Sequence, residues 1–258
     1  MNVKLIAWSN ARVSDPRKLV ILAVKVSCGK IREKGLNYYL DRDYSDEDYR
    51  RWLIDSLKYP SVLEHIVFTF YIEGISRICS HQLVRHRIAS YTQESQRYSE
   101  SYMRKAVEKI ASVLEENFKS GCFEEYVSLI EKFLKRAEGC SSRYAETVVE
   151  VAQQAFVIPP HLPLEEKHRL AKFYLKALAE YYKLLAEGIK KEDARFIVPQ
   201  AVKTALLMTV NMRELLHIAK LRLSSKAQWE IRELVRRIVE EVSKIIPELP
   251  SLIEDYEK

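Results

Sequence analysis

Glycine occupies only six of 258 positions, Gly29, Gly35, Gly74, Gly121, Gly139 and Gly188, too widely spaced for any G-x-G-x-x-G turn. That turn lets backbone amides approach a pyrophosphate at a helix N-terminus. A chain lacking it must grip any long nucleotide with side chains. The 47% hydrophobic content over this length suffices for a sizeable core at the upper end for one domain. No internal repeat, low-complexity tract or flexible linker breaks the sequence. The reading is one domain over 1–258 with a helical insertion at about 103–155.

The net charge is +6 and the pI about 9.0, with 36 acidic residues interspersed among 42 basic ones. Without a block of like charge, this suits an anionic ligand better than a nucleic-acid track. Cys28, Cys79, Cys122 and Cys140 form neither a C-x-x-C pair nor a zinc-ligand spacing with the six histidines, so they read as reduced, mostly buried thiols and no metal is expected. The first nine residues lack the apolar run of a signal peptide, and no eighteen consecutive residues are apolar. A cytoplasmic protein with no membrane segment is expected.

Hydrophobic periodicity predicts a mainly helical chain around a small twisted β-sheet, an α+β fold. Val3 to Trp8 and His65 to Glu73 read as strands, the second closed by Gly74. Helices are predicted after Asp15-Pro16 to about Ser27, over Ser45 to Leu57, and over Ile75 to Ile88, the last placing Gln82 and Arg85 on one face. Within the insertion, Ala106 to Phe118 and Glu124 to Leu134 are helical, broken by Ser120-Gly121 and Gly139. Leu164 to Ile189 follows as a long amphipathic helix, then Asp193 to Val198, stopped by Pro199. Asn211 to Glu214 and Ser225 to Gln228 both fit an N-cap box. The final stripe is Ala227, Ile231, Leu234, Ile238, Val242 and Ile245, with Trp229 a core anchor.

Arg85 to Ser99, Arg-His-Arg-Ile-Ala-Ser-Tyr-Thr-Gln-Glu-Ser-Gln-Arg-Tyr-Ser, concentrates three arginines, a histidine, hydroxyls and amides in one helix end and the turn after it. Arginine forks suit phosphate or a uracil-like carbonyl, and glutamine pairs with an imide edge. A nucleotide fits this inventory, as does a solvated basic helix end. Cys79 reads as a packing thiol and His65 as a core histidine on its strand.

Arg85-His86-Arg87, seven residues, then Ser95, followed by Arg97-Tyr98-Ser99, resembles the signature of the flavin-dependent thymidylate synthases, the ThyX family. Supporting resemblances lie in Ala23 to Ser27, Glu64 to Phe70, Ala194-Arg195 with Pro199, Thr209 to Arg213, and Leu221 to Leu223 with Ala227 to Glu230. The resemblance covers roughly residues 20–102 and 156–245, resuming at Phe156 to Pro159 after the insertion.

It implies FAD contacts from Ser27, Ser61, Arg85, His86, Arg87, Gln93, Asn211, Met212, Arg213, His217 and Lys226. It implies dUMP contacts from Gln82, Arg85, Gln93, Glu94, Ser95, Gln96, Arg97, Arg195 and Arg222, with Arg222 and Ser95 the catalytic pair. Gln93 stands where many members carry Glu, and Tyr59 departs from a common histidine near the flavin. The implied reaction reduces FAD with NADPH, takes a one-carbon unit from methylenetetrahydrofolate, and converts dUMP to dTMP in a homotetramer with active sites at subunit interfaces. The competing reading is a non-enzymatic RNA-binding helical protein using the same basic helix end. Against it, aromatic residues are not interleaved with the basic ones.

Overall fold

The computed structural model describes residues 1–9, 15–118, 121–138 and 142–256. The strands are β1 (Asn2–Trp8), β2 (Val67–Ser76), β3 (Ala89–Gln93) and β4 (Lys203–Asn211), in the order β1-β2-β4-β3. β1 pairs antiparallel with β2, with an irregularity between Leu5 and Ala7. The helices are α1 (Lys18–Ser27), α2 (Lys30–Lys34), α3 (Leu36–Leu40), α4 (Asp46–Ser56), α5 (Arg77–Leu83), α6 (Ser101–Leu114), α7 (Phe123–Arg136), α8 (Ser142–Ala155), α9 (Leu164–Ala186), α10 (Lys191–Ala194), α11 (Met212–Arg222), α12 (Trp229–Ser243) and α13 (Leu249–Tyr256). Short 3-10 turns cover Pro60–His65 and Arg195–Ile197. The predicted α+β class, mainly helical with a small sheet, is what forms.

Two compact units divide the chain. The first holds residues 1–73, 81–92 and 205–258. There α11 lies against the 3-10 turn at Pro60–His65 and against α12 and α13, while α12 covers β1. Its core includes Leu53, Leu63, Phe68, Phe70, Leu215, Ile218, Leu234 and Ile238, all fully buried. The second unit holds residues 74–80 and 93–204. Within it α9 packs against α7 and α8, and α6 against α8, so the predicted helical insertion shares a core with α9.

Several helix ends follow local chemistry. Ser45 accepts from the Asp48 N–H and the Asp48 carboxylate accepts back from the Ser45 N–H, a capping box worth about 1 kcal/mol. Asn211 caps α11 by accepting from the Glu214 N–H at 2.9 Å. The predicted cap at Ser225 is displaced three residues. Gln228 accepts from the Glu230 and Ile231 amides instead, and α12 starts at Trp229, which is half-buried. At the chain's other end Asp15 accepts from the Arg17 N–H, so Asp15-Pro16 forms a turn and α1 begins only at Lys18.

The predicted helix over Ile75 to Ile88 breaks into three pieces. β2 continues to Ser76 through Gly74, whose φ of 73° lies in the region glycine tolerates and whose N–H donates to the Tyr102 hydroxyl. α5 then occupies only Arg77 to Leu83, its first amides satisfied by the Val202 and Gln200 carbonyls. Arg85 therefore lies beyond the helix on which Gln82 sits, and Ala89 to Gln93 is a strand rather than part of a turn.

Other corrections are smaller. His65 ends a 3-10 turn and is exposed, since β2 starts at Val67. Asp193 to Val198 is the end of α10 and a 3-10 turn. Ile246, not Ile245, is the buried residue closing the α12 stripe, and Ala227 is only half-buried before its start. Cys28 and Cys122 are exposed, whereas Cys79 is buried as expected. Ser120, Gly139 and Cys140 lie outside the described residues. Among the described residues no helix is long and apolar enough to cross a membrane.

Candidate active site

In the first unit, the loop after α5 is held by Tyr91, whose hydroxyl lies 3.0 Å from both the Leu83 and His86 carbonyl oxygens. Burial pushes that hydroxyl well above the ordinary phenol range, so it remains a donor. The anchored loop turns His86 inward until it is buried, while Arg85 and Arg87 stay exposed. Neither arginine has an ion pair among the described residues, which leaves two guanidinium forks for an anion.

His86 is the centre of a polar cluster in which it and Glu214 are the buried members. Arg222, the last residue of α11, donates from Nε to His86 Nε2 at 3.0 Å and from Nη2 to the Gln82 carbonyl at 3.4 Å. Glu214 on the first turn of α11 brings Oε1 to 3.6 Å from His86 Nδ1, and the His217 ring meets the His86 ring edge-on at 6.1 Å. Burial, then Arg222 and His217, hold the His86 pKa down at about 4, so the imidazole is neutral at pH 7. Burial pushes the Glu214 carboxyl above its usual range, against a smaller opposing pull from His217 and Arg213. Guanidinium carries five N–H donors, so two internal bonds leave three for a ligand.

The same unit contains a largely apolar groove of about 410 Å³, walled by Leu19, Leu22, Ala23 and Val26 of α1 and edged by Ser27, Ser61 and His65. Its size and mixture of apolar wall and hydroxyls suit a flat ring system. Asn211 has its oxygen committed to the helix cap, so its amide hydrogens remain to donate. Arg213, exposed, pairs with Glu64 on the 3-10 turn. Met212 is fully buried, its N–H goes to the Ile66 carbonyl and its own carbonyl begins the α11 ladder, which leaves it little to offer a ligand. His217 and Lys226 are exposed, and Tyr59 is 67% exposed.

In the second unit two of the predicted nucleotide residues, Arg97 and Arg195, meet at Glu192. Its carboxylate faces Arg97 Nε at 3.5 Å, and its carbonyl accepts from Arg195 Nε at 3.1 Å. Half-buried Arg77, which the sequence reading passed over, has its proton affinity lowered by burial and by the neighbouring Arg195 charge. Gln93 donates its amide hydrogens to Ser80 Oγ at 2.9 Å and Thr204 Oγ1 at 3.2 Å, so its carbonyl oxygen is the group left to accept from a ligand. Glu94 Oε1 accepts from the Ser99 and Ser101 hydroxyls and braces the turn. Ser95 Oγ accepts from the Arg97 N–H at 3.3 Å, leaving its hydroxyl proton free, and Gln96 is half-buried beside it in sequence.

A family model described as thymidylate synthase complementing protein matches residues 5–248. A flavin-dependent thymidylate synthase from Sulfurisphaera tokodaii is 36% identical over 251 residues, 96% of this chain and 76% of that protein. The chain belongs to the flavin-dependent thymidylate synthases. A Pyrococcus furiosus member is 39% identical over 206 residues, 78% of this chain and 65% of that protein. The crystal structure of a Helicobacter pylori family member complexed with FAD and dUMP shares the fold at a TM-score of 0.65 and 23% identity, covering 100% of each chain.

Family membership decides for the enzyme over the RNA-binding reading and makes a flavin its cofactor. The groove, the unpaired Arg85 and Arg87, and the Asn211 amide fit such a group: an apolar wall for the ring, donors for the rest. Glu214, Tyr91, Arg77 and Glu192 lie against candidate-site residues and were missed by sequence reasoning. Glu214 was visible only as the acidic member of a helix cap.

Proposed function

We propose that this chain converts dUMP to dTMP by reductive methylation, with methylenetetrahydrofolate giving the one-carbon unit and NADPH the electrons. The observation that carries the reading is Arg222: a guanidinium anchored by a neutral imidazole and a carbonyl, with three N–H groups left over, in a chain of this family. FAD, when bound, supplies the redox chemistry that the side chains lack. Ser27, Ser61, Asn211, Arg213, Arg85 and Arg87 would hold it, with His217 and Lys226 as further contacts of the same unit, while His86, whose ring nitrogens face Arg222 and Glu214, is left to act through Arg222.

Everything else falls to the polypeptide. Arg97 and Arg195 bind the dUMP phosphate, exchanging their contacts with Glu192 for a dianion. The remaining oxygen of Gln93 accepts from the uracil imide, doing with an amide what many members do with a carboxylate. Glu94 braces the turn that carries Ser95, Gln96 and Arg97, and Ser95 orients the nucleotide with its free hydroxyl proton, with Gln82 a further dUMP contact that the family resemblance implies. Arg222 stabilises negative charge as the uracil ring is activated, which is worth most in a partly buried site. No enzyme nucleophile is required, consistent with Cys79 being buried in packing.

Side-chain capture of so long a cofactor is easier in a cleft shared by subunits, so a homotetramer is part of this reading. The purified protein should show a flavin spectrum and release tritium from labelled dUMP only with both folate and NADPH present. A colourless protein that cannot be loaded with FAD, or one that releases no tritium when loaded, overturns the proposal. A stable, active monomer by light scattering overturns the shared cleft.

A further inference from the structure

We propose that Glu214 and His86 form a positioning pair for Arg222, in which Glu214 fixes the proton of His86 on Nδ1 so that Nε2 holds the guanidinium in one orientation. The inference rests on the reading that Arg222 acts on the uracil ring. Each end of the imidazole demands the same tautomer. Arg222 Nε–H points at Nε2 from 3.0 Å and needs a lone pair there. Glu214 Oε1 sits 3.6 Å from Nδ1, beyond hydrogen-bond length but close enough that a lone pair facing it would be repelled and an N–H attracted.

The remaining groups around the ring reinforce this. The Arg222 charge and the His217 ring oppose a second proton, and Tyr91 fixes the His86 backbone through its carbonyl. Arg213, adjacent in sequence to Glu214, lowers that carboxyl's proton affinity but points its own fork at Glu64. With the side chains of His86 and Glu214 6% and 7% exposed, water offers neither an easy substitute partner. Arg222 ends α11, where the helix no longer restrains it, so its direction is set by the imidazole at Nε and the Gln82 carbonyl at Nη2. His86 and Glu214 are thus positioning residues that act through Arg222.

The test pairs nitrogen NMR with kinetics on FAD-loaded protein. In histidine-labelled protein, with the His86 signal assigned by its loss in His86→Gln, the ring should be neutral with its lone pair on Nε2 at pH 7. Glu214→Gln and Glu214→Leu should mix the tautomers and lower dTMP turnover at saturating dUMP and folate by about 10- to 100-fold, the range for a misplaced catalytic group. KM for dUMP, bound FAD and flavin reduction by NADPH should change by less than about twofold. His86→Gln, which keeps an acceptor oxygen, should lose less turnover than His86→Leu.

Wild-type His86 carrying its proton on Nε2, or Glu214 variants that turn over normally, would overturn the proposal. Losses that follow FAD content or melting temperature instead of turnover would do the same. A wild-type protein that makes no dTMP at all sinks the functional reading, and the tautomer then stands or falls on the spectrum alone.

Discussion

Replacing Arg222 with alanine removes one side chain with two separable jobs. Its Nε contact at 3.0 Å is a charge-assisted hydrogen bond, and its Nη2 contact at 3.4 Å is long enough to add little. The folded state should lose about 2 kcal/mol. Freed of the adjacent guanidinium, His86 should titrate higher than about 4 yet still below 6.5, because burial, the larger cause, remains. Catalysis should suffer more than stability. A preorganised donor aimed at developing charge is worth about 10²- to 10³-fold in turnover, so dTMP formation should fall by that factor even at saturating dUMP. Flavin bleaching by NADPH needs no uracil activation and should stay near wild type. Arg222→Lys keeps the charge but not the fork, and should recover only part of the loss. Stopped-flow bleaching and dTMP formation, measured on the same FAD-loaded preparation below its melting point, make the comparison internal. Normal dTMP turnover by Arg222→Ala at saturating dUMP would show that the residue only binds, and the reasoning would be wrong.

Arg97→Ala and Arg195→Ala should each weaken dUMP binding by about 10- to 100-fold with turnover at saturation preserved, because a guanidinium on phosphate is felt alike in ground and transition states; a drop in saturating turnover without a KM change would contradict this. Glu64→Gln releases Arg213 from an exposed pair worth at most about 1 kcal/mol, so fluorescence titration of the apoprotein should show FAD binding up to about 5-fold tighter. Weaker binding would mean that Glu64 holds Arg213 in place for the cofactor. His86 titrates at about 6.5 unfolded and about 4 folded, so the unfolded chain takes up its proton first: its contribution is complete above pH 6.5 and drains away as pH falls toward 4. Denaturant unfolding between pH 7.5 and 5 should therefore cost wild type about 2 kcal/mol more than His86→Leu, and equal slopes would refute the burial argument. Glu214, raised by burial, contributes in the opposite sense, its stabilisation present at acid pH and lost as pH rises.

What could be read in the sequence was mostly what local chemistry decides. The helix opening at Ser45, the Asn211 cap and the middle of the α12 stripe, Ile231 to Val242, need only neighbours three or four residues away, and these formed. The segment after Gly74 misled because its apolar spacing, Ile75, Ile78, Val84 and Ile88, fits one helix although the residues come from a strand end, a short helix and a loop. The tie that ends α5, a tyrosine hydroxyl from β3 on the Leu83 carbonyl, lies eight residues downstream and leaves no periodic mark. β4 was missed for a related reason. Thr204, Leu206, Met208 and Val210 alternate inward, but Leu207 on the exposed face turns the alternation into a continuous apolar run that serves helix and strand equally.

The candidate site divides along the same line. Its exposed cations were legible because the residue types alone suggest an anion, and the motif spacing narrowed the choice to one family. The buried partners were not, because a carboxylate in the first turn of a helix already has an explanation in the helix dipole and the cap. Glu214 satisfies that local rule completely, so nothing in the sequence asks for a second role. Only when Tyr91 pins the loop, and the loop drives His86 against α11, does the same carboxylate come within 3.6 Å of an imidazole whose other nitrogen faces the guanidinium. The side chains offered to a ligand are thus oriented by groups that look purely structural one element at a time. Substitutions at Glu214 or Tyr91 should consequently leave ligand affinity largely intact while degrading turnover, the inverse of what substitutions at Arg97 or Arg195 do.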